Sequence, residues 1–185
     1  MCEKKTLRYS ILLQRRSLLP EYIEAASSRV VEAVKQRDDF LSATVVALYV
    51  SHQNEAPTDA LIEWLLGKSK TVILPVVRHA SMAFYQYHPA GMLKNRYGIY
   101  EPNPSIAAKV DLSACDLVVV PGIAFDRQGG RVGRGGGFYD RALSQLSVAK
   151  SPRRVGLAYD FQMVDVCPMD VHDVSMDDVI VIPSS

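Results

Sequence analysis

The sequence predicts a single α/β domain, a mostly parallel or mixed central sheet flanked by helices, and three observations carry that prediction. Short runs of β-forming residues alternate with segments that repeat at helical spacing, the pattern of a sheet with helices on its faces. The runs at 44–50, 71–77 and 117–120 are almost uninterrupted apolar stretches, as strands buried on both faces are. The chain is 185 residues long, the length of one domain, with no internal repeat, low-complexity tract or long linker.

Residues 4–16 read as a basic helix with Leu7, Ile11 and Leu12 as its apolar stripe. Pro20 suits the first turn of a second helix running to about Arg37, with Ile23, Ala26, Val30 and Val34 at helical spacing. Thr44–Val50 is the first buried strand, and a polar loop, 51–57, follows it. Thr58 can cap a helix through Leu66 that Gly67 closes. The second strand is Thr71–Val77, and Met82–His88 alternates as a half-exposed strand does. Residues 89–114 hold Pro89, Gly91, Gly98, Pro102 and Pro104 in scattered positions and read as irregular. Leu117–Val120 is a third buried strand ended by Pro121-Gly122. Helix returns at roughly 137–147, and strands at 154–159 and 179–182.

Composition excludes several classes. Hydrophobic content of 48% and charged content of 22% are ordinary globular values, so the chain is neither disordered nor fibrous. No apolar run reaches a membrane span, and the charged N-terminal segment is not a signal peptide. Three widely spaced cysteines fit neither a disulfide framework nor a zinc site, so a soluble protein of a reducing, cytoplasmic compartment is expected. A net charge of +1 recruits neither nucleic acid nor an anionic membrane. The charge is uneven, however. Residues 1–37 carry eight basic side chains against four acidic ones, and residues 159–185 carry six aspartates and no Lys or Arg. Either the two ends attract each other or face solvent, or a basic segment holds an anion while the acidic residues help hold a cation.

Seven of the 11 glycines fall between Gly122 and Gly137, in a segment that follows a buried strand and runs into a helix. Ligands of α/β folds bind beyond the carboxyl ends of strands. Glycines let main-chain N–H groups converge on an anion. The next helix adds unpaired N–H groups. Arg131 and Arg134 supply charge-assisted donors for phosphate oxygens, and Asp140, on the first helical turn, is a carboxylate of the kind a hard cation shares with phosphates. The segment is not a P-loop, because no Gly-Lys-Ser/Thr ends it. It is not a dinucleotide fingerprint either, because Phe138 stands where the third glycine belongs. Phosphate binding and a glycine-rich surface hairpin both fit the spacing.

The run from Pro121-Gly122 through Ala124-Phe125-Asp126 to Gly133-Arg-Gly-Gly-Gly-Phe-Tyr-Asp140-Arg141 resembles the signature of the 5-formyltetrahydrofolate cyclo-ligases, also called 5,10-methenyltetrahydrofolate synthetases. The resemblance spans nearly the whole chain: Lys4-Lys5 and Leu7-Arg8 at the start, Ser51–Glu55 with Pro57-Thr58, Leu74-Pro75, Tyr97–Pro102, and Pro168 to Asp173. Phe138 replaces a usual Tyr, and Asp170 or Val171 stands where a Glu is usual. The resemblance implies a sheet of the sugar-phosphate isomerase and CoA-transferase kind. It implies an enzyme that uses ATP and Mg²⁺ to close 5-formyltetrahydrofolate into 5,10-methenyltetrahydrofolate, with Arg131 and Arg134 as its catalytic charges. On this resemblance ATP is held by Lys4, Lys5, Thr6, Leu7 and Arg8, and by Arg131, Val132, Gly133, Arg134, Gly135, Gly136, Gly137, Phe138 and Tyr139. The folate contacts are Val50, Glu55, Arg134, Gly135, Gly136, Gly137 and Phe138, and the magnesium ligand is Asp140. Asp160, Asp170 and Asp173 remain open as a second metal carboxylate.

Residues 4 and 8 lie on one helix face, so both side chains can clamp one phosphate. Each of these residues has a plainer reading: Lys4 and Arg8 as a solvated basic face, Asp140 as a helix N-terminal carboxylate, Val50 as core. His52, His79, His88 and His172 form no ligand spacing. The rivals are an isomerase or transferase that binds phosphate without ATP turnover, and a folate- or nucleotide-binding protein without catalysis. A nucleic-acid module is the weakest, since the aromatics do not interleave with a basic patch.

Overall fold

The computed structural model describes residues 2–79, 81–146 and 151–183, with only the backbone at Cys2. Helices α1 (Cys2–Arg16), α2 (Pro20–Val34) and α3 (Asp38–Ser42) precede strand β1 (Val45–Ala47). Helix α4 (Asp59–Gly67) leads to β2 (Thr71–Arg78) and β3 (Ser81–Gln86). Three short strands follow, β4 (Met92–Lys94), β5 (Tyr100–Pro102) and β6 (Lys109–Val110). Then come β7 (Leu117–Val120), β8 (Ala124–Phe125), β9 (Arg131–Val132), α5 (Phe138–Ser144), β10 (Arg153–Tyr159) and β11 (Asp178–Ile182).

Seven strands form one sheet in the order β11-β10-β7-β1-β2-β3-β6. The five from β11 to β2 are parallel, and β3 and β6 add antiparallel pairs at one edge. The mixed sheet flanked by helices is therefore the one predicted. Strand residues divide by alternation between two cores. Val46, Leu48, Val72, Leu74, Leu117, Val119, Val155 and Leu157 pack with Ala26, Val30 and Val34 of α2 and Leu61, Ile62 and Leu65 of α4. Ala47, Ile73, Val118, Val120 and Ala158 turn to the other face, with Leu143 of α5 and Phe84. Helix α1 packs on neither face. Its Leu7, Ile11 and Leu12 lie against Ile123, Ala124 and Val132, so the basic N-terminal helix is carried beside the β8–β9 hairpin.

Several expected boundaries move. The second helix stops at Val34, short of the expected end near Arg37, and α3 is a separate short helix that the sequence reading did not assign. The first strand pairs only over Val45–Ala47, although the Leu48 amide still donates to Ile73 O. Residues 89–114 are not irregular: they contain β4, β5 and β6 and two 3₁₀ turns. Thr58 does not cap α4, because its hydroxyl donates to Tyr49 O at 2.6 Å. Nor does Gly67 close that helix: Ser69 takes the left-handed turn at φ 58°, and the Ser69 and Lys70 amides donate to Leu66 O and Leu65 O. Helix α5 spans Phe138–Ser144, and the expected end near 147 lies outside the described residues.

Carboxylates pin the sheet to its neighbours. Asp116 accepts the amides of Thr44 and Val45 at 2.7 and 2.9 Å, and Asp39 receives two donors from Arg37. The Val45 N–H, with Thr44, holds the Asp116 carboxyl below its ordinary value, and the Arg37 guanidinium does the same for Asp39. A carboxyl whose pKa is lower in the folded chain stabilises the fold above its unfolded pKa, and that contribution is lost as pH falls through the folded value. The thermal midpoint is therefore expected to hold from neutral pH down to about pH 4 and to fall below it. Scanning calorimetry against pH checks this, and a midpoint unchanged down to about pH 2.5 would contradict it.

Candidate active site

The strand order places the site. Strands β1 and β7 are parallel neighbours, yet the chain leaves them in opposite directions. It passes from β1 through α4 to β2 on one side, and from β7 through α5 to β10 on the other. Such a divergence opens a crevice beyond the carboxyl ends, where open α/β sheets bind ligands. The segments that leave those two ends are 48–58 and the glycine segment 121–137.

The glycine segment has two halves with different work. Strands β8 and β9 form a buried hairpin whose turn is built on Asp126, which accepts the amides of Gln128, Gly130 and Cys167 at 2.9, 2.7 and 2.8 Å. Gly129, at φ 85°, lies so close to the chain that a Cβ there would sit 2.2 Å from Met176 O. This half is structural. The half from Gly133 to Gly137 is at the surface, with Arg134, Gly135 and Gly136 exposed. Gly135 has φ 101°, a backbone that L-residues rarely adopt. The first half is thus a hairpin, but a buried one and not the surface hairpin of the sequence reading, and the second half is an exposed turn.

The two arginines separate in the same way. Arg131 is buried, its side chain 4% exposed. It donates to Asp140 Oδ1 at 2.6 Å and to Pro121 O at 3.1 Å. Asp140 Oδ1 also accepts the Val174 amide at 3.2 Å. Arg134 is 44% exposed and spans to the β1 loop. Its Nε and Nη2 donate to Glu55 Oε1 at 3.0 and 2.8 Å, Nη1 to Gln53 Oε1 at 2.8 Å and Nη2 to His52 O at 3.2 Å. Glu55 Oε2 accepts the His52 amide at 3.1 Å. One ion pair therefore joins the residue read as the phosphate clamp to the residue read as the folate contact.

On α1, Lys4 and Arg8 do share a face. Arg8 Nε donates to Gly133 O at 2.8 Å, which puts it on the exposed turn. Lys4 Nζ instead pairs with Asp170 and Asp173 at 2.6 and 2.5 Å. The oppositely charged ends of the chain therefore meet, as one of the two charge readings holds. Burial alone would raise the Asp173 carboxyl, but the Lys4 ammonium and the Asp170 amide outweigh it and hold that carboxyl below its ordinary value. Lys5 and Thr6 are exposed, and Leu7 is half-buried in the contact between α1 and the hairpin. Val132 is buried and paired with Ala124. Val50 is half-buried, with one side packed against the core around α2 and α4.

Phe138 lies under the Arg141 guanidinium, 5.1 Å from the ring centre, and Tyr139 meets Phe84 edge-on. The Tyr139 hydroxyl is buried without a hydrogen bond, and its acidity is suppressed by burial first and by Glu55 next. Among the described residues the buried side-chain atoms without a hydrogen bond are this hydroxyl, Arg131 Nε and the three guanidinium nitrogens of Arg15. All three side chains stand beside Glu55, Asp140 or Arg134. Buried polar groups are usually satisfied, so their clustering marks where the fold leaves donors for something else.

Arg15 was missed in the sequence reading, although a signal was present. Leu7, Ile11 and Arg15 follow at intervals of four, which puts a guanidinium on the apolar face of α1.

The donor set fits a divalent cation in one form only. Among the described residues, no group of three or more His, Cys, Asp or Glu gathers to make a cage. Asp140 spends Oδ1 on Arg131 and Val174, and among the described residues no hydrogen bond engages its second oxygen. Magnesium commonly takes one or two carboxylates and completes its shell with phosphate oxygens and water, which suits one half-committed carboxylate beside an exposed glycine turn. Of the three open carboxylates, Asp173 precedes the residue whose amide Asp140 accepts, and Asp170 shares Lys4 with it.

Arginines and carboxylates gathered at the switch point of a mixed α/β sheet stand where enzymes of this fold class take their ligands. Residues 1–182 match the sequence model of the 5-formyltetrahydrofolate cyclo-ligase family, and the chain belongs to that family. It is 34% identical over 171 residues to the 5-formyltetrahydrofolate cyclo-ligase of Escherichia coli K12, covering 90% of this chain and 93% of that one. It is 36% identical over 162 residues to that of Haemophilus influenzae, covering 85% and 84%. The fold is similar to the solution structure of Aquifex aeolicus 5,10-methenyltetrahydrofolate synthetase, with a TM-score of 0.83 and 32% identity over 98% of this chain and 89% of that one. A Mycoplasma pneumoniae 5,10-methenyltetrahydrofolate synthetase shares the fold, with a TM-score of 0.73 at 24% identity over 96% and 97%.

Proposed function

We propose that this chain converts 5-formyltetrahydrofolate to 5,10-methenyltetrahydrofolate with MgATP, releasing ADP and phosphate in the cytoplasm. The observation that carries this reading is the Arg134–Glu55 pair at the switch point, which ties the exposed glycine turn to the loop after β1. On this reading the main-chain amides from Gly133 to Gly137, with Arg8 and Arg134, hold the triphosphate. Lys4 reaches a phosphate only by giving up Asp170 or Asp173. Lys5 and Thr6 are exposed on the same N-terminal stretch of α1, and Leu7 and Val132 support it from the hairpin core. Glu55 accepts N–H donors of the pterin edge once Arg134 releases it, with Val50, Phe138 and Tyr139 as walls.

The chemistry follows from the bond to be broken. A formamide oxygen leaves poorly as oxide and well as phosphate. Moving the γ-phosphoryl group onto the formyl oxygen lets N10 attack the activated carbon and expel phosphate. Phosphoryl transfer mainly needs positioning and charge neutralisation. Arg134 supplies the exposed charge, and buried Arg131 keeps Asp140 in place. Asp140 would hold Mg²⁺, with Asp173, the residue before Val174, as the candidate second carboxylate; the ion when bound neutralises the phosphate charge. On this reading no side chain acts as a nucleophile, because the intramolecular N10 removes the need for one.

Mixing the protein with 5-formyltetrahydrofolate, ATP and Mg²⁺ is expected to produce the near-ultraviolet absorbance of the methenyl product, and omitting any one of the three to abolish it. Saturable binding of both substrates with no product would leave a binding protein and overturn the proposal. Glu55→Gln is expected to raise the KM for folate about tenfold, as loss of a charge-assisted hydrogen bond does, and that for ATP less than about threefold. Equal increases would contradict a folate-specific role.

A further inference from the structure

The Arg15 guanidinium is 1% exposed, and among the described residues none of its three nitrogens finds a hydrogen-bond partner. Its carbonyl is used, accepting Asn54 Nδ2 at 3.0 Å, so the C-terminal turn of α1 is fastened to the loop after β1. Tyr49 and Tyr159 stand nearby, but their hydroxyls donate to Ala56 O and Glu55 O. The anion facing the guanidinium is Glu55, with Oε1 3.9 Å from Nη1. Arg side chains keep their charge in proteins, and a buried charge without hydrogen bonds is among the least favourable arrangements a fold adopts. A well-packed apolar side chain at this place would be the more stable choice. The charge is therefore retained for what it does to Glu55.

Glu55 Oε1 faces two cations of different standing. Arg134 holds it with two hydrogen bonds from the exposed rim. Arg15 sits behind it, sealed in the protein. On the functional reading above, Arg134 must turn from Glu55 to phosphate as the substrates bind. With Arg134 gone, Glu55 Oε2 keeps the His52 amide, and the cation left facing Oε1 is Arg15. We infer that Arg15 is a positioning residue: the fixed, buried counter-charge that keeps the Glu55 carboxylate aimed at the folate when Arg134 leaves it. This rests on Glu55 being the folate contact. It gives the two arginines a division of labour, the exchangeable one serving phosphate and the sealed one serving the carboxylate.

The test uses Arg15→Met, which fills similar volume without charge, Arg15→Lys, which keeps a charge, Glu55→Gln, and the Arg15→Met/Glu55→Gln double variant. Steady-state KM values for 5-formyltetrahydrofolate and ATP are measured with the thermal midpoint of each. Arg15→Met is expected to raise the folate KM about tenfold, to leave the ATP KM within about twofold, and to melt no lower than the parent, because an unsatisfied charge is gone. Arg15→Lys is expected to recover most of the folate affinity. In the Glu55→Gln background Arg15→Met is expected to add nothing. A folate KM within about twofold of the parent for Arg15→Met overturns the inference. So does an equal loss for both substrates that follows a lower melting temperature, or an Arg15→Lys as impaired as Arg15→Met, the comparison that remains if the methionine variant does not fold. If Glu55→Gln is impaired and the two effects multiply, Arg15 acts apart from Glu55 and only this inference fails. If Glu55→Gln binds folate normally, the reading of Glu55 fails, and this inference with it.

Discussion

Asp140→Asn is expected to lose MgATP-dependent turnover by about 100-fold or more, as removal of a preorganised charge from a phosphoryl-transfer site does, and to melt lower as well. The second effect follows from Arg131. Spacing alone suggests a carboxylate that can be neutralised with the fold intact, but in the structure that carboxylate is the counter-charge of a buried guanidinium, 2.6 Å away. Removing one member of a buried pair leaves the other uncompensated, at a cost of about 2–4 kcal/mol, and in a chain of this length that corresponds to a midpoint roughly 5–15 °C lower. Asn keeps an acceptor for the Val174 amide, which holds the loss to the pair itself. Activity against magnesium concentration and calorimetry on the same sample check the two parts. Full turnover with ordinary magnesium saturation would remove Asp140 from the metal, while an unchanged midpoint would remove it from the buried pair.

Arg134→Ala is expected to do the opposite in kind: a large loss of kcat, about 100- to 1000-fold, with stability within about 1 kcal/mol of the parent. Its side chain is 44% exposed, and the pair with Glu55 is a rim contact that water can replace. Because it bridges the two loops, both KM values are expected to rise, in contrast to the folate-selective effect of Glu55→Gln. Rapid-quench measurement of phosphoryl transfer, alongside steady-state kinetics, checks this. An unchanged kcat would mean that Arg134 fastens the loops and takes no part in the chemistry. Between them, the two variants separate the buried arginine that organises the site from the exposed one that reaches the ligand.

The parts of this architecture that were legible in the sequence are those whose signal is local. The uninterrupted runs at 71–77 and 117–120, and Ala26, Val30 and Val34 at helical spacing, state their own burial, and the buried strands and α2 lie where those patterns put them. Helix α3 and strands β4 to β6 are each shorter than a full amphipathic repeat, so periodicity has nothing to measure there. Ser69 closes α4 through a left-handed turn that Gly67 was expected to supply, because the chain tolerates a strained φ where the next strand must begin. The glycine segment announced itself by composition, but its division into a buried hairpin and an exposed turn depends on Asp126 reaching Cys167, a contact across 41 positions. The switch point is invisible in the sequence for the same reason, since strand order is set by long-range pairing. Arg15 stood on an apolar face in plain view, and only its distance from Glu55 gives that placement a meaning.

The amide chemical shifts of the ¹⁵N-labelled chain, titrated with the magnesium complex of a non-hydrolysable ATP analogue, test the phosphate cradle most directly. The main-chain amides of Gly133, Arg134, Gly135, Gly136 and Gly137 are predicted to move most and to saturate together, with the Arg134 side-chain resonances following as Glu55 is released. Shifts that leave these five amides in place and gather instead around the acidic concavity lined by Asp126, Asp160, Asp177 and Val179 would contradict it.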